Sequence, residues 1–254
     1  MSTFSDGILS LKYAQTKADG TKESWADISR RVASSVVHPY FPTLAPQIEQ
    51  LIYEKKFIPG GRYLYAAGKP MHQTQNCLLL SVEDSREAWA SLMQRVVSGL
   101  MTGAGVGIVY SKLRGRGSLV RGMGGTSTGP IALMQMVNEA GRHIMQGGSR
   151  RSAIWAGLHW NHPDVFEFIA LKDWSEDVKA AKAKDYNAIA PMDGTNISVI
   201  LDDAFFASYH DATSAAHVHA VAVYWSVVRH MLETGEPGFS VDTGANAGEH
   251  LRNA

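Results

Sequence analysis

Cysteine is nearly absent from this sequence: Cys77 is the only one among 254 residues. That excludes an internal disulfide framework and suits a reducing compartment. A surplus of either charge is also missing, with 24 Lys+Arg against 24 Asp+Glu. A chain without a basic excess has no footing for broad nucleic-acid binding, so no direct nucleic-acid partner is expected. No stretch approaches the roughly 18 uncharged apolar residues of a membrane-crossing helix. The opening MSTFSDGILSLKYAQTK lacks the basic-then-apolar order of a signal peptide. Together these absences lead to the expectation of a cytoplasmic protein with no membrane partner. Internal repeats, low-complexity tracts and a Gly-Lys-Ser/Thr phosphate loop are absent as well.

What is present is enough apolar material, 45% of residues, for a sizeable core. Residues 1–22 show no clear period. Trp25, Ile28, Val32 and Val36, then Leu44, Ile48, Leu51 and Ile52, recur at helical spacing, which predicts a small helical segment over 1–56. Residues 57–70 carry loop chemistry. A short strand is expected at 76–80. Asp84-Ser85-Arg86-Glu87 reads as a capping box with Asp84 as the cap. The helix it opens, about 86–102, has Trp89, Leu92, Met93, Val96, Val97 and Leu100 as its buried stripe. Strands at 108–110, 153–158 and 196–201 alternate with a helix at 130–145, a short helix starting at His162-Pro163-Asp164, a polar helix before the last strand, and two helices after it up to about 233. Alternating strands and helices predict an α/β fold. Residues 111–129 form a long loop rich in Gly, Arg and Ser, and Gln146–Arg151 a second Gly/Arg loop.

Several motifs invite chemistry. Gly103-Ala104-Gly105-Val106-Gly107 suggests a dinucleotide loop, but that fingerprint needs a strand before the glycines and a helix after them, and here the order is reversed. His159 with His162, and His217 with His219, fall short of the three or four convergent ligands a metal site needs, so capping or surface roles are expected and no metal. Arg114, Arg116, Arg121, Arg150 and Arg151 lie on Gly-rich backbone beside helix ends. They are either ordinary surface arginines or a phosphate-binding set, in which Gly lets N–H groups approach an anion and Arg contacts it bidentately. Cys77 is either a small buried hydrophobe or a redox thiol.

In order, Gln75-Asn76-Cys77-Leu78-Leu79-Leu80, Asp84-Ser85, Gly103–Gly107, Ser111-Lys112-Leu113-Arg114, Gly129-Pro130, Gln146–Ala153 and Gly235-Glu236-Pro237-Gly238 resemble the ribonucleotide reductase catalytic subunit. The wording from Met145 to Pro163 is most similar to the adenosylcobalamin-dependent class. The resemblance implies the N-terminal half of a ten-stranded α/β barrel over 57–254, built as one of two five-stranded halves. It implies thiyl-radical removal of the ribose 2′-hydroxyl, with Cys77 as the first of two reducing cysteines. Asn76 and Gly105 would line the substrate ribose. Asp84, Ser85, Arg114 and Arg121 would hold a deoxynucleoside triphosphate effector in the first loop, with Arg150 and Arg151 in the second. Asp84 as a simple cap is compatible with that role.

Leu251-Arg252-Asn253-Ala254 resembles the start of an Asn-x-Cys-x-Glu triad, with Asn253 bonding the reacting centre and the radical cysteine next in line. The expectation is therefore a reductase inactive until joined to its C-terminal half, as an intein-interrupted, split or truncated gene would leave it. Adenosylcobalamin would bind mainly with that half. A ribonucleotide substrate, a thioredoxin-like reductant and homodimer formation are implied as well. The alternatives are a class I large-subunit fragment or a non-catalytic nucleotide-binding remnant.

Overall fold

The computed structural model describes residues 4–70, 74–120, 122, 124–146, 150–185 and 187–244; for residues 145, 146, 150 and 151 it describes backbone alone. Contacts divide the chain into two compact units, Met1–Asn76 and Cys77–Ala254.

The first unit is helical: α1 (Phe4–Lys12), α2 (Trp25–Val32) running on into a π-helical turn at Ala33–Val37, α3 (Ala45–Tyr53) and α4 (Gly61–Ala66). Ser24 and Asp27 form the capping box of α2, each side chain reaching the other's backbone N–H. Ile28, Val32, Ile52 and Leu64 form the centre of this unit's core. Arg31 holds α2 to α4. Its Nε and Nη2 meet the Glu23 carboxylate at 2.7 and 2.8 Å, and its guanidinium also donates to the Leu64 and Ala67 carbonyls. Burial opposes ionisation of Glu23, but Arg31 and the Gln15 N–H outweigh it and hold the carboxyl below its ordinary value. Two elements depart from the sequence reading. α1 buries none of its residues, so it leaves no apolar period. α4 grows out of the Gly60-Gly61 segment assigned to a loop, and a Cβ on Gly61 would lie 3.1 Å from the Tyr13 ring.

The second unit runs β1 (Cys77–Ser81), α5 (Arg86–Met101), β2 (Gly105–Val109), α6 (Gly129–Arg142), the paired short strands β3 (Met145–Gln146) and β4 (Arg150–Arg151), β5 (Ile154–His159), α7 (Val165–Ile169), α8 (Glu176–Lys184), β6 (Thr195–Asp202), α9 (Asp203–His210), α10 (His217–Thr234) and β7 (Gly238–Asp242). The main sheet has the order β1-β2-β5-β6-β7 and every neighbouring pair is parallel. Leaving aside the β3–β4 ladder, each strand of the main sheet lies beside the sheet strand before it, as right-handed β-α-β crossovers wound in one direction require. This is the five-stranded parallel half expected of the barrel, and helices precede it.

One face of the sheet is dry. Leu80, Val106, Ile108, Ile154, Ala156, Leu158, Ile197, Val199 and Leu201 meet Leu92, Val96 and Leu100 of α5, Met134 and Val137 of α6, Phe168 of α7, and Val223 and Val227 of α10. α6 is tied to the start of β6 by the buried Asn138, whose Oδ1 accepts from Gly194 N and Thr195 Oγ1 at 3.1 and 2.9 Å. Among the described residues no helix is long and apolar enough to cross a membrane.

Candidate functional site

The other face of the sheet differs in chemistry. Strand side chains alternate between faces, so Cα partners in a parallel pair share one. Cys77 pairs with Gly105, Gly107 with Trp155, Trp155 with Asn196, and Ser198 with Gly238. All therefore lie on the face opposite the dry core. Cys77 opens β1 and is exposed. Its in-register neighbour has no side chain, so the strip beside the thiol is bare backbone, the condition for close ligand approach. Asn76, immediately before β1, is exposed.

Trp155 forms the floor two residues further along the strands. A Cβ on Gly157 would lie 2.4 Å from its ring, and one on Gly107 would lie 3.3 Å from the ring and 3.2 Å from Leu79. The indole N–H donates to Ser198 Oγ at 3.0 Å. Glycines 107 and 157 are thus needed by an indole lying across the sheet, a role the sequence reading did not assign. The signal available for it was Gly at alternate strand positions flanking a Trp.

At the carboxyl ends of β1 and β2 a second cluster forms. Arg114 Nε meets Asp84 Oδ2 at 2.6 Å, and Arg114 Nη1 donates to the Leu119 carbonyl at 3.0 Å. Both side chains of the ion pair are about one-third exposed, at 35% and 32%. Lys112 pairs with Glu83 beside them. The cap of α5 is Ser85, not Asp84: Ser85 Oγ accepts from Ala88 N at 3.1 Å. The helix begins at Arg86, one residue too late for Asp84 to cap it, and the Asp84 carboxylate faces Arg114 instead. The structure thus brings Asp84 and Arg114 into contact with Ser85 next to them. Arg116 is tied elsewhere, its guanidinium 2.9 Å from Glu167. Arg121 and Asn253 lie outside the described residues. Arg150 and Arg151 form β4, in register with Gln146 and Met145 of β3, so the second Gly/Arg loop is entered and left through a two-stranded ladder. Its central residues 147–149 lie outside the described residues.

Cys77 and Gly105 start their strands, whereas Asp84 and Arg114 follow the strand ends. Five residues of strand separate the two clusters by roughly 17 Å at about 3.3 Å per residue.

The histidines take other work. His159 Nε2 lies 3.0 Å from Asp202 Oδ2 and its Nδ1 lies 2.7 Å from Asn161 Oδ1. Burial opposes ionisation of Asp202, but the Phe205 N–H, the Trp160 indole and His159 outweigh it, holding this carboxyl below its ordinary value. His217 and His219 bond the Ser208 and Trp160 carbonyls. His162, expected in a capping or surface role, is buried at 4% exposure beneath the first Gly/Arg loop.

Comparison with known proteins gives these clusters a context. A family model described as "Ribonucleotide reductase, barrel domain" matches residues 75–234. A vitamin B12-dependent ribonucleoside-diphosphate reductase of Thermoplasma acidophilum is 29% identical over 188 residues, 74% of this chain and 22% of that protein. A ribonucleoside-diphosphate reductase large chain of Cryptosporidium parvum is 26% identical over 229 residues, 80% of this chain and 28% of its own length. A vitamin B12-dependent ribonucleoside-diphosphate reductase of Mycobacterium tuberculosis is 28% identical over 150 residues, 58% of this chain and 22% of that protein. The chain spans about a quarter of the length of these curated relatives.

Proposed function

The chain belongs to the ribonucleotide reductase barrel-domain family, and from that premise we propose that it is the N-terminal part of an adenosylcobalamin-dependent reductase converting ribonucleotides to 2′-deoxyribonucleotides in the cytoplasm. The observation that carries the proposal is the in-register pairing of the exposed Cys77 with Gly105 on the open face of the half barrel. In this reading the ribose lies over Gly105 with Asn76 beside it. Cys77 and a cysteine of the C-terminal half reduce it. Two thiols give up two protons and two electrons, the C2′–OH bond is replaced by C2′–H, water leaves, and a disulfide forms between the thiols. A thioredoxin-like reductant then restores the thiols.

When bound, adenosylcobalamin supplies the radical that starts the reaction. The residues present fit one side of this chemistry: Cys77 is the sequence's single thiol, so the radical cysteine and the second reducing cysteine come from the C-terminal half. In this reading Asn253 hydrogen-bonds the reacting centre beside the radical cysteine. Asp84, Ser85, Arg114, Arg121, Arg150 and Arg151 form the effector set, coupling a deoxynucleoside triphosphate to base choice as a free energy shared between two sites. The complete enzyme is a homodimer. The names of the relatives favour a diphosphate substrate.

The likeness to the Cryptosporidium large chain favours a second reading, a class I subunit that draws its radical from a separate protein. The test is turnover of a ribonucleoside diphosphate by the chain completed with its C-terminal half. Deoxynucleotide product with adenosylcobalamin and no second subunit is expected, and Cys77→Ser abolishes it. Product that requires a second subunit shifts the assignment to class I. Unimpaired turnover by Cys77→Ser sinks the reductive role.

A further inference from the structure

We propose that His162 and Asp164 are positioning residues that set the root of the 111–129 loop and so present Arg114 beside Asp84; the inference rests on the effector reading above. Four contacts converge on this root. His162 Nε2 lies 2.8 Å from the Leu113 carbonyl, and its Nδ1 accepts from Asp164 N at 3.0 Å. A carbonyl only accepts and an amide N–H only donates, so the ring is neutral with its proton on Nε2. Both oxygens of Asp164 accept from Arg116 N, at 3.1 and 2.9 Å. The loop is thus held on either side of Arg114, at the carbonyl of residue 113 and the amide of residue 116, by two buried side chains of one turn.

The glycines of the loop agree with this. A Cβ on Gly115 would lie 2.9 Å from Pro163 and 3.3 Å from Asp164 Oδ1. One on Gly129, at the far end of the loop, would lie 2.6 Å from Asp164 Oδ2 and 3.0 Å from Arg116 N. Both arms therefore close on the same carboxylate. Beyond the root, Gly117 N bonds the Ser127 carbonyl and Leu119 bridges Thr126, so the outer loop is a narrow antiparallel arm standing on that anchor. Arg114 leaves the anchor between its two fixed points and reaches the Leu119 carbonyl as well as Asp84. Loosening the anchor frees the guanidinium without touching either partner.

The test uses the 254-residue chain and its Asp164→Asn and His162→Gln variants. Asn keeps one acceptor for Arg116 N, and Gln keeps a donor for the Leu113 carbonyl, so each variant removes part of the anchor while the fold is retained. Deoxynucleoside triphosphate affinity is measured calorimetrically, with deuterium uptake followed peptide by peptide. The expected result is faster uptake confined to 113–129 and affinity weakened about tenfold or more, the scale of one charge-assisted hydrogen bond. Wild-type affinity in both variants, with wild-type binding measurable, overturns the anchor while leaving the effector reading intact. No binding by the wild-type chain overturns the effector reading and this inference with it. Uptake that rises evenly across the whole second unit reports general loosening and overturns the positioning role.

Discussion

Single atoms decide much of this molecule, and two glycines in the 111–129 loop show how to separate their effects. Gly117 and Gly129 both have positive φ, +82° and +75°, a conformation in which L side chains are strained. A Cβ on Gly117 meets nothing within 4 Å, whereas one on Gly129 would lie 2.6 Å from the Asp164 carboxylate. Gly117→Ala is therefore expected to cost only backbone strain, about 1–2 kcal/mol. Gly129→Ala adds overpacking against the anchor, for a total of about 2–5 kcal/mol. Urea midpoints of the two variants check this, and equal losses would mean that the carboxylate moves aside freely. At this scale the sequence was a partial guide. The glycines and arginines marked the loop, but part of that glycine content serves close packing on Pro163 and Asp164 and not phosphate approach. The pairing of Cys77 with Gly105 was not legible, because register between strands 28 residues apart is set by the helix that joins them and not by any local pattern.

Elements are joined by charge as well as by apolar packing, and the joint at the end of α6 is the clearest case. Arg142 and Lys182 both meet the Asp193 carboxylate, at 2.8 and 2.6 Å, with all three side chains largely buried. Burial opposes ionisation of Asp193, but the two cations outweigh it and hold the carboxyl below its ordinary value of 3.8. A carboxyl depressed in the folded state adds stability that is fully present above the unfolded value and is lost as pH falls through the folded one. Asp193→Asn should therefore be less stable than wild type by about 2–4 kcal/mol near pH 6. The gap should narrow as the pH approaches 3, which chemical denaturation at a series of pH values would record. A gap constant across that range would show that the charge is immaterial. The elements themselves were largely readable, because β1, β2, β5 and β6 are apolar runs and α5 carries its stripe at Leu92, Val96 and Leu100. β7 was not, since Gly238-Phe239-Ser240-Val241-Asp242 is a short edge strand with no buried residue. α1 was missed for the same reason, having no buried side to impose a period.

At the largest scale, the decisive feature is the second unit's parallel sheet, one face packed by helices and the other carrying glycine and polar side chains among the described residues. Purely parallel sheets are stable when both faces are covered. Here the helices cover the face bearing Val106, Ile108 and Val199, while the opposite face presents Cys77, Gly105, Asn196 and Ser198. Among the described residues, β1 and β7 each pair on one side only. Unpaired edges recruit other chains, and a charged residue on an edge is the usual deterrent. β7 carries a single charge, Asp242 at its end, and beside it Val241, 56% exposed. The 254-residue chain by itself is therefore expected to self-associate through these edge strands. Val241→Lys should shift sedimentation toward the monomer at unchanged thermal stability, since the residue is outside the core. Cys77→Ser, at the other edge, should leave the distribution as it is, because it alters chemistry and not edge pairing. Wild-type chain that sediments as a monomer at tens of micromolar, or association indifferent to Val241→Lys, would show that the edges are protected by other means and that the open face, not the edge, is where a second half would have to bind.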